Sequence, residues 1–217
     1  MKKFAVVLAG CGVYDGAEIH EATLAMLAIA QAGAEYQCFA PDIDQHHVVN
    51  HLNEQVSDEK RNVLVESARI TRGNIKNIKT VSASDLDGLI IPGGFGAAKN
   101  LSDFAVKGPE SEVHPEVQRL LSEMVDAAKP VGAICIAPAT LVRALPQREP
   151  RVTIGNDMGT AAAIGTMGGV HIDCSVDEVC VDEANRIVTT PAYMLGPGIK
   201  DVAVGIENLI EKVLSLC

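Results

Sequence analysis

The sequence predicts an α/β domain with a mostly parallel central sheet, and three observations carry that prediction. The chain opens with a strand–helix–strand unit, 4–8, 18–32 and 36–40, whose crossover sets the two strands parallel. Hydrophobic residues make up 47% of 217 positions while aromatics reach only 3% and Trp is absent, so the core has to be built from Ala, Val, Ile and Leu in closely packed layers. Gly-rich loops follow predicted strands, at the carboxyl edge where parallel sheets gather their sites. A chain of this length buries a sizeable core without a second domain, so one domain over 1–217 is expected.

The elements follow in order. After strand 4–8 comes a Gly-rich loop, 10–16, and then a helix in which Ile19, Leu24, Leu27 and spaced Ala residues give a 3.6-residue stripe that Gly33 ends. Residues 41–77 turn polar, with His46, His47 and His51 and a helical stretch at 59–69, and read as an excursion from the end of the second strand. A third strand, 87–91, runs into Pro92-Gly93-Gly94-Phe95-Gly96. Helix 116–128 leads to a buried strand, 130–134, and a helix at 138–145. Strand 151–154, helix 157–167 and strand 170–174 come next. Strands 179–182 and 186–190 are joined by Glu183-Ala184-Asn185 as a hairpin, and an amphipathic helix, 199–216, closes the chain.

The stretch Lys129-Pro-Val-Gly-Ala-Ile-Cys135-Ile-Ala-Pro-Ala139 organises the rest. Cys135 falls where strand passes into helix, and Pro138 suits a first helical turn. Ala133 and Ala137 supply the small residues that such a close strand–helix approach requires, so the pattern is the thiol counterpart of the Gly-x-Ser-x-Gly nucleophile elbow. A helix N-terminus directly after the thiol favours thiolate. The competing reading is a small buried Cys closing a core strand.

Three loops are expected to meet beside it: 10–21, 93–100 and the elbow. Gly93, Gly94 and Gly96 let backbone approach a ligand and offer N–H groups to an anion. Glu18, His20 and Glu21 open the first helix. The elbow strand can lie beside strand one in this fold, which would bury Glu21 near Cys135, raise its pKa and let it donate a hydrogen bond to a thiolate. His20 is either a base or a helix-capping or surface residue. Cys11 is the other thiol of interest, because its loop is expected to border Cys135.

Several chemistries fit poorly. A formal net charge of −10 opposes binding to nucleic acid. Gly10-Cys11-Gly12 approximates a dinucleotide fingerprint, but Asp15 stands where its third Gly belongs. His20-Glu21 lacks the second His of a zinc-protease helix, His47 and His51 lack a clear third ligand, and Cys174 and Cys180 are spaced outside zinc patterns. Six scattered Cys suggest a reducing compartment, and no run approaches the ~20 apolar residues that span a bilayer. A soluble, cytoplasmic protein is expected, with 1–11 read as strand and loop, not as a signal segment.

The Pro-Gly-Gly loop, the Ala-Ile-Cys-x-x-Pro elbow and Thr189-Thr190-Pro191 resemble the ThiJ/PfpI superfamily, relatives of class I glutamine amidotransferases, over almost the whole chain. Gly10-Cys-Gly-Val-Tyr-Asp-Gly16, Glu18-Ile-His-Glu21 and Asn185-Arg-Ile-Val-Thr-Thr-Pro-Ala-Tyr-Met194 look like its ElbB branch, described as a glyoxalase linked to isoprenoid biosynthesis. The resemblance implies a flavodoxin-like three-layer sandwich and a homodimer. It makes Cys135 the nucleophile and Glu21 its carboxyl partner, with His20 assisting, and Gly94 or Phe95 with Ile136 as oxyanion donors beside Glu18. It also implies a glyoxalase III-type reaction on a small dicarbonyl, of the hydro-lyase class, with no cofactor and no metal. Where many relatives have His after the Cys, this chain has Ile136, and no triad His can be placed, which argues against glutamine hydrolysis. A redox-sensing or partner-binding protein with a reactive Cys135, and a deglycase, are the alternatives.

Overall fold

The computed structural model describes residues 1–217. Strand β1 (Lys3–Val7), helix α1 (Ile19–Gln31) and strand β2 (Glu35–Ala40) form the expected opening unit. The hairpin β3 (Val48–Asn50) and β4 (Gln55–Ser57), helix α2 (Val63–Ile70) and strand β5 (Ile75–Asn77) make up the polar excursion. Strand β6 (Gly88–Ile91) leads to two short helices, α3 (Phe95–Lys99) and α4 (Phe104–Lys107), and then to α5 (Pro115–Asp126). Strand β7 (Val131–Ile134) carries the elbow and α6 (Ala137–Ala144) leaves it. Strand β8 (Arg151–Val152), helix α7 (Met158–Thr166), strand β9 (Val170–His171), strands β10 (Cys180–Asp182) and β11 (Ile187–Thr190), and α8 (Ile199–Ser215) complete the chain.

Seven strands form one sheet in the order β10-β11-β7-β6-β1-β2-β5, parallel except for β10, which pairs antiparallel with β11. Alternation along each strand divides the core. Phe4, Val6, Leu8, Ile90, Ile134 and Val188 pack with α1 and α8 on one face. Ala5, Val7, Leu89, Ile91, Val131, Ala133 and Ile187 pack on the other face with residues of α5 and α6. Period-two side-chain direction on buried strands gives both faces apolar character, hence the flavodoxin-like sandwich.

The structure changes two of these expectations and adds detail to two others. β6 lies between β1 and β7, so the elbow strand is not beside strand one. The excursion also reaches the main sheet: its last residues form β5, an edge strand whose three residues, none of them buried, are too few to show a period. The expected strand 170–174 shortens to Val170–His171 and pairs with β8 outside the main sheet, leaving Cys174 off any strand. His47 and His51 flank hairpin strand β3.

Candidate active site

The elbow is backbone geometry first. Cys135 has φ +62, a left-handed conformation that non-Gly residues seldom adopt, and its N–H donates to the Thr190 carbonyl at 3.0 Å, tying the turn to the end of β11. Pro138 stands in the first turn of α6. Cys135 is only 8% exposed.

Glu21 reaches the thiol from α1 across the end of β6. Glu18 caps that helix, its Oε2 accepting from the Glu21 N–H at 2.7 Å, and the Glu18 N–H donates to the Gly93 carbonyl at 2.9 Å. The Glu21 side chain is fully buried. Its Oε2 accepts from the Gly93 N–H at 2.9 Å and its Oε1 from the Tyr193 N–H at 3.3 Å, while the Cys135 thiol is a further partner. A Cβ at Gly93 would lie 2.4 Å from the Cys135 Cβ and 2.7 Å from Glu21 Oε2, so only Gly lets the two groups meet over β6.

Burial, reinforced by the Glu18 charge, pushes the Glu21 carboxyl from its ordinary 4.5 up to about 8, against the opposing pull of the Tyr193, Cys135 and Gly93 hydrogen bonds. Burial and the Glu21 charge raise the thiol as well, and the Gly94 and Ile136 N–H groups work against that rise. The expected low-pKa thiolate therefore gives way to a coupled pair. In a dry site two adjacent negative charges are too costly, so the pair retains a proton that either member can hold.

Of the expected oxyanion donors, Gly94 and Ile136 are the ones whose N–H groups reach the thiol. Both direct N–H groups at Cys135, whereas the Phe95 N–H is taken by the Val13 carbonyl at 2.7 Å. Phe95 contributes its ring instead, to a cavity of about 300 Å³ that Val13, Glu18, Gly94, Cys135, Ile136, Thr160, Tyr193 and Met194 also line. A cleft of about 330 Å³ between Gln118 and Arg148 is lined by no thiol and no histidine.

His20 does not line this cavity; it is exposed, and its Nδ1 lies 2.8 Å from the Tyr193 hydroxyl. Cys11 also lies off the cavity wall, in a half-buried setting where burial and Glu66 raise its thiol; its loop meets the site through Val13. His171 accepts from the Ile154 N–H at 3.3 Å and is not in the cavity either. Tyr193, Thr160 and Met194 are wall residues that sequence reasoning missed. For Tyr193 a signal was present, a polar aromatic just past a buried strand end.

The chain has relatives over its whole length. A human glutamine amidotransferase-like class 1 domain-containing protein 3, mitochondrial, is 46% identical over 99% of this chain and 83% of its own length. The rat ES1 protein homolog, mitochondrial, is 45% identical over 99% and 84%. The crystal structure of an isoprenoid biosynthesis protein with an amidotransferase-like domain from Ehrlichia chaffeensis superposes with a TM-score of 0.94 at 40% identity, over 100% of this chain and 99% of that one. Glyoxalase III of Candida albicans shares the fold, at a TM-score of 0.63 and 15% identity over 99% and 97%. The mitochondrial names of the curated relatives overturn the cytoplasmic expectation. Scattered free Cys report a reducing environment, which is not an address. The model of the DJ-1/PfpI family matches residues 10–192. With elbow, buried carboxyl and fold in agreement, the chain belongs to the DJ-1/PfpI family.

Proposed function

We propose that the protein is a cofactor-independent glyoxalase that converts glyoxal, and related 2-oxoaldehydes, to hydroxy acids such as glycolate. One observation carries the reading: a strained-elbow thiol lies against the fully buried Glu21 carboxyl while two backbone N–H groups face it. The thiolate adds to one aldehyde, forming the S–C bond, and the carbonyl π pair moves to oxygen between the Gly94 and Ile136 N–H groups. Glu21 gives its proton to that alkoxide and becomes the carboxylate. It then removes the C–H proton of the same carbon and delivers it to the neighbouring carbon. Glu21 finally recovers the first oxygen's proton as the thioester carbonyl forms, and water hydrolyses the thioester to glycolate and free thiolate. A carboxyl at about 8 suits these exchanges, since it both holds and releases a proton near neutrality.

A second reading has one observation behind it. The cavity, at about 300 Å³, exceeds what a two-carbon dialdehyde fills, which favours a carbonyl adduct on a larger molecule and hence a deglycase. The sensor reading draws less support, because Cys135 is buried and its thiol is raised. The test is glycolate formation from glyoxal by wild type and Cys135→Ala. Turnover above ~1 per second that vanishes in the variant is expected; equal turnover by both overturns the proposal.

A further inference from the structure

The glyoxalase reading leaves one proton unassigned. When Glu21 ends protonated, as it began, the second oxygen of the dicarbonyl is an alkoxide in the thioester intermediate and needs one proton from outside the Cys135–Glu21 pair. No histidine lines the cavity to supply it. The wall does contain one further proton donor that reaches solvent through a partner, Tyr193.

Tyr193 is held at both ends. Its backbone N–H rests on Glu21 Oε1 at 3.3 Å, and its hydroxyl lies 2.8 Å from Nδ1 of the exposed His20, with ring centroids 5.8 Å apart. The preceding residue, Ala192, is fully buried at φ +44, a conformation an L-residue adopts only where its surroundings enforce it. That strained step turns the chain after β11 so that the Tyr193 amide meets Glu21 and the residue lines the cavity. Burial, with the Glu18 and Glu21 charges, raises the phenol, which keeps it a protonated donor.

We propose that Tyr193 is a catalytic residue that protonates the second oxygen of the substrate, and that His20 acts through it as a positioning residue that orients the hydroxyl and returns its proton. This assignment rests on the glyoxalase reading. In the step the Tyr193 O–H bond breaks as the O–H bond on the substrate forms, and the His20 imidazolium passes its Nδ1 proton to the phenol oxygen in the same event, leaving neutral imidazole. The imidazole recovers its proton from water. One proton thus enters, hydrolysis of the thioester releases two, and glyoxal plus water yields glycolate plus one proton. His20 replaces, by way of a phenol, the histidine that the elbow lacks at Ile136.

The experiment measures steady-state glyoxal turnover by wild type, Cys135→Ala, Tyr193→Phe, His20→Ala and the His20→Ala/Tyr193→Phe double variant, each with and without added imidazole. Tyr193→Phe is expected to lower kcat about 100-fold with KM little changed, and with Cys135 still alkylated at the wild-type rate. His20→Ala is expected to fall about 10-fold and to recover with imidazole, whereas the double variant stays unresponsive because the rescue runs through the phenol. Cys135-dependent turnover that is unchanged in Tyr193→Phe overturns the relay alone, as does imidazole rescue of the double variant. Wild-type turnover no greater than that of Cys135→Ala overturns the glyoxalase reading and the relay together.

Discussion

Glu21 Oε2 accepts a hydrogen bond from the Gly93 N–H at 2.9 Å, and that contact parks a carboxyl from α1 over the end of β6 and against a thiol from β7. Three segments far apart in sequence thereby form one proton-sharing pair. The absence of a side chain at Gly93 is the physical condition for it.

Gly93→Ala tests that condition. The added methyl would sit 2.4 Å from the Cys135 Cβ, 2.7 Å from Glu21 Oε2 and 2.9 Å from the Ile134 carbonyl oxygen, the last a backbone atom that cannot swing aside. The variant is expected to lose about 1–3 kcal/mol of stability in chemical denaturation and to lose glyoxal turnover at least as fully as Glu21→Gln. Full activity would show that pair and loop relax more freely than the packing implies.

Glu21→Gln separates stability from activity. The folded-state carboxyl, at about 8, lies above its ordinary 4.5, so over that window the folded protein holds a proton that the unfolded chain releases. Wild-type stability therefore falls as pH rises from about 4.5 to about 8 on account of this group. The amide cannot ionise, so the variant should lose this fall in stability between pH 5 and pH 9, while inactive. Urea midpoints at pH 5 and pH 9 provide the comparison, and an identical pH slope in both proteins would remove Glu21 as the cause.

The same substitution should make Cys135 easier to ionise. Once burial has had its effect, the Glu21 charge and hydrogen bond are what hold the thiol up, and Gln carries no charge. The pH midpoint of Cys135 alkylation is expected to move down in Glu21→Gln. An upward shift would mean that the carboxyl stabilises the thiolate instead.

Gly94→Ala probes the oxyanion side. Gly94 has φ +87, and a Cβ there would lie 2.4 Å from the Glu18 N and 2.5 Å from the Gly16 carbonyl oxygen. Displacing the loop withdraws one of the two N–H groups aimed at Cys135, and a loss of about 100-fold in kcat is expected. Substituting Phe95 by Leu leaves both donors in place and should alter KM more than kcat, since the ring lines the cavity while its N–H is bound to Val13.

Much of the site was local enough to read along the chain. Cys135 was marked by Ala133, Ala137 and Pro138, all within three residues, because a strand-to-helix elbow imposes its steric demands on immediate neighbours. Glu21 stands out in the sequence through the family resemblance and through the premise that the elbow strand lies beside strand one; that premise fails, and the real route crosses β6 by way of Gly93. Strand order is a long-range property that no single segment encodes. The choice between Gly94 and Phe95 was equally hidden, since it turns on whether the Val13 carbonyl claims the Phe95 N–H. His20 was visible as a candidate, but its partner Tyr193 follows the last strand of the sheet, almost the length of the chain away.

By itself the sequence determined the α/β architecture, the place of the elbow thiol and the glycines around it, because periodicity, turn chemistry and elbow sterics act within a few residues. Only the tertiary structure decided how the thiol ionises. A helix N-terminus favours thiolate, yet full burial beside a buried carboxyl outweighs it and leaves a pair that keeps a proton between its members. Desolvation depends on everything packed around a group, and that is known only once the chain has folded.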